Sequence, residues 1–216
     1  MSGPNVLAIG AQKGGVGKST TTLYLATILA HTLSSTPERP TVGIIDRDES
    51  RNLAKMLAQR PDLQEAVHAA GVRVLPDGEI PHDDPALRLI LIDTPPGVSA
   101  IKSLQEANLV VIPTKPEDQS MGNFVAYLKL LDDARVSVSP NMRLVAVVPT
   151  MIWKVGRNVI KQHRKRIADI EVIASRRKPP LVILPAVPLS ASVMDFDLAS
   201  PEYIPVVEEL SRHVAF

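Results

Sequence analysis

Short runs of apolar residues, many of them β-branched, alternate along the chain with longer stretches whose apolar positions recur at helical spacing. The runs predict strands at Val6–Ala11, Thr41–Asp46, Val72–Leu75, Leu87–Asp93, Leu109–Thr114, Leu144–Pro149 and Leu181–Leu184. They are almost continuously apolar, the pattern of parallel strands buried on both faces. The stretches between them predict helices at Thr20–Thr32, Arg51–Gln59, Ser99–Ala107, Gln119–Asp133, Gly156–Ser175 and Glu202–His213. Strand–helix alternation of this kind predicts an α/β fold, a doubly wound, mostly parallel sheet of about seven strands in a three-layer sandwich with helices. Prolines and polar residues gather at Ser34–Pro40, Pro76–Pro85 and Ser137–Pro140, between elements. None is long enough for an interdomain linker. The first strand begins within the first ten residues, so the expectation is one domain over residues 1–216 without an N-terminal helix-turn-helix domain.

In an open parallel sheet, ligands bind beyond the carboxyl ends of the strands. Three polar features fall at such ends. The first is Lys13-Gly14-Gly15-Val16-Gly17-Lys18-Ser19-Thr20, between the first strand and the first helix. A glycine-rich turn there exposes backbone N–H groups to an anion, and the helix N-terminus adds partial positive charge. Lys18 can reach outer phosphates and the Ser19 hydroxyl can ligate Mg²⁺, which predicts a nucleoside-triphosphate site. The usual phosphate loop reads G-x-x-x-x-G-K-[ST]; here the first glycine position holds Gln12, and a second lysine, Lys13, lies inside the loop.

The other two features are acidic. Asp93 ends an apolar strand, as the acid of a Walker B element does, and can hold Mg²⁺ through a coordinated water. Thr94-Pro95-Pro96-Gly97 follows it, a stiff then flexible segment suited to sensing a γ-phosphate. Asp46 and Asp48 leave the second strand two residues apart and share a side in extended backbone. One can hold metal-bound water while the other orients the attacking water. Two carboxylates beside a triphosphate repel it unless cations are present, so this pair suits a site with Mg²⁺ and two lysines. Each acid also fits a plain turn.

Charge and composition narrow the picture. Apolar content is 45%, and no apolar run reaches the ~20 residues of a membrane span. The N-terminus lacks the basic-then-apolar layout of a secretory signal, so the expectation is a cytoplasmic location. Without cysteine, thiolate zinc sites and Cys-held iron–sulfur clusters are excluded. The five histidines are scattered without ligand spacing. Net charge is only +1, but Lys154 to Lys178 holds nine Lys/Arg against two acids, a local +7 that leaves −6 elsewhere. Arg157, Lys161, Arg164 and Lys165 share one helical face, with Val159, Ile160, Ile167 and Ile170 opposite, and Arg176, Arg177 and Lys178 extend the charge. Basic residues without interleaved aromatics suit phosphate contact rather than base stacking; they also fit a solvated helix face.

Together KGGVGKST, the IIDRD segment, LILIDTPPG, the VVIPTKPE segment and VVPTM resemble the ParA/MinD family of deviant Walker A ATPases, most closely the ParA-type partitioning ATPases. The resemblance covers most of the chain. It implies an ATP-dependent sandwich homodimer with ATP and Mg²⁺ at its interface, in which Lys13 reaches the partner's phosphates. It implies Lys18 on the β/γ-phosphates, Ser19 on Mg²⁺, Asp46 near the metal shell, Asp48 positioning the hydrolytic water, and adenine contacts from Thr150, Met151 and the loop around Pro185. It further implies non-specific DNA binding on the nucleoid and a ParB-like adaptor that stimulates slow hydrolysis. The chain departs from the family's D-x-D-P-Q with Asp46-Arg47-Asp48-Glu49-Ser50, and lacks the arginines that often follow a late Ile-Pro pair. Two alternatives share these motifs. A MinD-like membrane cycle needs a basic amphipathic C-terminal helix, whereas Glu208 and Glu209 outnumber Arg212, so no membrane partner is expected. A metabolic P-loop enzyme is the other, with Trp153 a pocket-lining or a packing residue.

Overall fold

The computed structural model describes residues 3–137, 142–152, 157–176, 181–198 and 201–214. Seven strands, β1 (Asn5–Ile9), β2 (Val42–Asp46), β3 (Val72–Leu75), β4 (Leu89–Asp93), β5 (Leu109–Thr114), β6 (Leu144–Pro149) and β7 (Val182–Ile183), form one sheet in the order β3-β2-β4-β1-β5-β6-β7. All pairings are parallel, as the unbroken apolar runs predict. Successive side chains of a strand point to opposite faces. Leu7 and Ile9 of β1 therefore join one core with Leu23, Leu25 and Leu210, while Val6 and Ala8 join the other with Leu104, Tyr127 and Ile170.

The helices are α1 (Lys18–Thr32), α2 (Asn52–Gln59), α3 (Pro61–Ala69), α4 (Ile101–Glu106), α5 (Asp118–Ser137), α6 (Arg157–Arg176), α7 (Ala191–Met194) and α8 (Ile204–His213). Helix α1 is buried almost all round. Its threonines are tolerated there because Thr22 donates to the Lys18 carbonyl (3.0 Å) and Thr27 to that of Leu23 (2.9 Å), so no hydroxyl is stranded. Tyr24 of α1 stacks on Tyr203 with ring centroids 4.7 Å apart. That stack seats the C-terminal part of the chain on α1.

Several elements differ from the sequence reading. Helix α3 is new: Pro61 supplies a pre-set φ at its first turn, and Leu63 and Val67, four apart, are its buried contacts. Helix α7 is a single turn, started by the Ser190 hydroxyl accepting from the Val193 amide (3.2 Å). The helix expected from Ser99 is a 3₁₀ turn, Gly97–Ala100, running into α4, and α8 is likewise preceded by a 3₁₀ turn, Pro201–Tyr203. On α6 the buried positions are His163, Ile170 and Ala174; Val159 is exposed rather than part of the packed face. The expected loop at 138–140, the start of the basic helix at Gly156, and Trp153, Lys154, Arg177 and Lys178 lie outside the described residues.

The topology concentrates the chemistry. Strand β1 lies between β4 and β5, where the chain turns to opposite halves of the sheet. The register sets Asp93 beside both Ile9 and Asp46. The end of β1 and two acids thus meet at one carboxyl edge of the sheet, the position where open α/β folds bind ligands.

Candidate functional site

The phosphate loop leaves β1 and enters α1 through Gly15 (φ +75°) and Gly17 (φ +92°), left-handed conformations that side chains rarely adopt. A Cβ added at Gly14 or Gly15 would meet nothing within 4 Å, so these backbones face open space. The space is a cleft of about 530 Å³ lined by Gly14, Gly15, Gly17, Lys18, Ser19, Thr20, Asp48, Glu49, Ser50, Pro95 and Pro96, among others. A bare backbone concavity at a helix N-terminus suits an anion.

Within the cleft, long-range contacts bring the sequence candidates together. Ser19 donates to Asp93 Oδ2 at 2.6 Å. Asp93 Oδ1 is buried without a hydrogen-bond partner. Burial pushes the Asp93 carboxyl up to about 7, against the pull of Ser19 and Lys18 and with a push from Asp46 and Asp48. An orphaned carboxylate oxygen beside a hydroxyl is the donor set of a hard, oxygen-seeking cation, so the pair fits Mg²⁺. Among the described residues no cluster of three or more His, Cys, Asp or Glu could hold a metal alone.

Lys18 is buried, with Nζ 3.6 Å from Asp48 Oδ2. Burial works against ionisation of Asp48, but the Ser50 hydroxyl and amide, with Lys18, outweigh it and hold the carboxyl below its ordinary value. Asp46 sits deeper: its Oδ1 accepts from the Asp48 amide (3.1 Å) and its Oδ2 from the Ala54 amide of α2 (2.9 Å). One oxygen of Asp46 thus braces the amide of Asp48 and the other the first turn of α2.

The sequence reading put adenine contacts at Thr150, Met151 and the loop around Pro185. An apolar slot of about 130 Å³ opens beside Gly17 and Thr20, lined by Thr150, Met151, Val187, Pro188, Leu189, Val193, Phe196 and Tyr203. Pro185 is not among its lining residues. The amide of Ile152 donates to the Val187 carbonyl (3.1 Å) and that of Leu189 to the Ile152 carbonyl (3.0 Å), which brings residues 187–189, rather than Pro185, alongside Met151. Thr150 also has a second task, donating its hydroxyl to the Val16 carbonyl of the phosphate loop (2.8 Å).

Lys13 is exposed on the loop, apart from the Lys18–Asp48 pair. Lys161, Arg164 and Lys165 form an exposed stripe on the first half of α6, and Arg176 is exposed at its end. Arg157 is its first residue. Arg166 pairs with Asp169 at 2.9 Å.

Residues that sequence reasoning passed over include Ser50 and Arg47. The Arg47 amide donates to the Asp93 carbonyl (2.9 Å), and its guanidinium reaches Glu106 of α4 and the Gly78 carbonyl (2.8 Å). A near-buried arginine thus ties the end of β2 to the end of β4 and the helix beyond. An arginine between two acids was the signal available for it.

No family model matches the chain. It is 28% identical to the chromosome-partitioning ATPase Soj of Thermus thermophilus, over 73% of this chain and 72% of Soj. Among solved structures it is similar to apo McdA of Cyanothece (TM-score 0.73, 16% identity, 98% of this chain and 99% of that one). It is also similar to cobyrinic acid a,c-diamide synthase of Mycobacterium smegmatis with ADP and magnesium (0.70, 21%, 97% and 95%) and to the cell-division protein MinD of Aquifex aeolicus (0.67, 22%, 96% and 95%). At these identities the structures speak for the fold. The altered phosphate loop, the parallel sheet that presents it and the similarity to Soj together mark the chain as a Soj homologue with the fold of ParA/MinD-type P-loop ATPases.

Proposed function

We propose that this chain is a Mg²⁺-dependent ATPase that dimerises on binding ATP, holds DNA without sequence preference and segregates or positions a chromosome, plasmid or other cargo. Hydrolysis is slow and is stimulated by a ParB-like adaptor. The observation that carries the reading is the division between two lysines of one loop: Lys18 is buried against Asp48, while Lys13 is exposed. A cation held within the site suits phosphates bound by its own subunit. A second, solvent-facing cation on the same loop suits a site completed by another copy.

The geometry supports the following roles. Amides of the phosphate loop and the N-terminus of α1 cradle the triphosphate, and Lys18 neutralises its outer phosphates. Ser19 and Asp93 hold Mg²⁺, which when bound offsets the charge of the β- and γ-phosphates. Asp48, with Oδ2 on the cleft side, orients the attacking water, and Asp46 fixes the backbone beneath it. The slot beside Met151 takes the adenine. The stripe of Lys161, Arg164 and Lys165, with Arg157, Arg176, Arg177 and Lys178, meets DNA phosphates, and dimerisation doubles it. Similarity to a chromosome-partitioning ATPase supports this reading.

Three of the apolar residues a membrane cycle would draw on, Val206, Val207 and Leu210 of α8, are buried in the core. No described helix is long and apolar enough to cross a membrane. The test is DNA binding by the purified protein, read by fluorescence anisotropy with ATP, with ADP and without nucleotide. Tight binding with ATP alone is expected; equal binding in all three states, or none in any, refutes the switch.

A further inference from the structure

The sequence after β2 departs from its family where Ser50 stands, and the structure gives that residue a task. Asp48 Oδ1 accepts two hydrogen bonds from Ser50, one from the hydroxyl at 2.5 Å and one from the amide at 3.0 Å. A hydroxyl on a carboxylate at this distance is a charge-assisted bond, at the strong end of the range. Two donors on one oxygen fix the plane of the carboxylate. The other oxygen, Oδ2, then lies 3.6 Å from Lys18 Nζ. That exceeds the ~2.7–2.9 Å of a charge-assisted N–H···O bond. Lys18 therefore feels the charge of Asp48 without being captured by it, and stays available to phosphate.

We infer that Ser50 is a positioning residue for hydrolysis: its hydroxyl holds Asp48 in a fixed orientation, with the other oxygen paired to Lys18 at a distance too long for a hydrogen bond. The inference rests on the proposed ATPase activity. Loss of the hydroxyl leaves the amide bond alone on Oδ1, and Asp48 can turn toward Lys18. The acid then loses its aim on the water, and the lysine is partly tied up. A small hydroxyl residue serves here because it follows Asp48 by two positions, and the turn is already closed by the Arg51 amide donating to the Asp48 carbonyl (2.8 Å).

The experiment compares wild type, Ser50→Ala and Ser50→Thr by steady-state ATPase assay with Mg²⁺ and DNA, alongside thermal midpoints. Ser50→Ala is expected to lower kcat roughly tenfold, the scale of one hydrogen bond to a charged group. Its KM for ATP is expected to stay within about threefold, and its midpoint within a few degrees. Ser50→Thr keeps the hydroxyl, has room because position 50 is exposed, and is expected to retain at least about half the wild-type kcat. A Ser50→Ala kcat within twofold of wild type overturns the inference. So does equal damage in both variants, or a loss of kcat that tracks a matching loss of folded protein. If wild type itself hydrolyses no ATP, the proposed function falls first; if wild type is active and Ser50→Ala equals it, only the role of Ser50 falls.

Discussion

Asp93→Asn should make the nucleotide-free protein more stable while disabling the proposed Mg²⁺ site. The wild-type carboxyl is fully buried, with one oxygen bonded by Ser19 and the other unpartnered. Burial raises it from an ordinary 3.8 to about 7, so the fold favours the protonated acid. For a carboxyl raised in this way, stability is complete below the unfolded value near 4 and is lost as pH climbs to the folded value. At 1.36 kcal/mol per tenfold step the total is on the order of 4 kcal/mol, of which about 2–3 kcal/mol disappears between pH 5 and pH 8. Asparagine keeps the shape and cannot ionise, but it leaves a buried amide group unpaired at a cost of about 1–2 kcal/mol. The two proteins should therefore be near parity at pH 5, with the variant ahead by about 2–3 kcal/mol at pH 8. At this chain length that amounts to roughly 5–10 °C in thermal midpoint. The assay is thermal unfolding in EDTA across pH 5–8, then at pH 8 with Mg²⁺ and ATP, which should raise only the wild-type midpoint. Parallel pH profiles for the two proteins would refute the assigned strain at Asp93.

Three further outcomes are expected. Lys13→Ala should bind ATP within about threefold of wild type, because Lys13 is exposed and forms no ion pair among the described residues; it should fail to dimerise by light scattering, and an intact ATP-dependent dimer would count against a role across the interface. Gly10→Ala should cost about 3 kcal/mol or more in urea unfolding, because its Cβ would lie 1.8 Å from the Tyr127 hydroxyl; Tyr127→Leu in the same chain should recover part of it, and a cost below about 0.5 kcal/mol would show that the packing under the phosphate loop is looser than the structure has it. Replacing Lys161, Arg164 and Lys165 together by alanine should flatten the salt dependence of DNA binding by about 2.7 in log–log slope per engaged subunit. An unchanged slope would move the DNA surface off α6.

The sheet was legible because its strands carry their burial in their composition. Runs such as LILI and LVVIP are apolar at every position, and in the structure the strands that hold them are buried from end to end. Helix α3 was hidden because its apolar positions, Leu63 and Val67, are few and its start is a proline, easily read as a break. The slot beside Met151 was not legible because β7 is only two residues long, and the chain beyond it is aligned by bonds to residues 149–152. Arg47 and Ser50 were passed over for a different reason: their roles lie in partners rather than in their own type or spacing.

The sequence by itself determined the architecture and the resemblance to ParA/MinD-type ATPases. Strand and helix periods, a glycine-rich turn with two lysines, and acids at strand ends are local patterns, and local sterics and solvation suffice to read them. Only the tertiary structure decided what those residues do to one another. Ser19 and Asp93 are 74 residues apart, and Thr150 and Val16 are 134 apart; the parallel register and the crossovers bring them within hydrogen-bonding distance. The charge state of Asp93, the poise of Asp48 between Ser50 and Lys18, and the exposure of Lys13 all follow from burial. Burial is a property of the packed chain, set by what lies on the far side of each residue, which no local pattern contains.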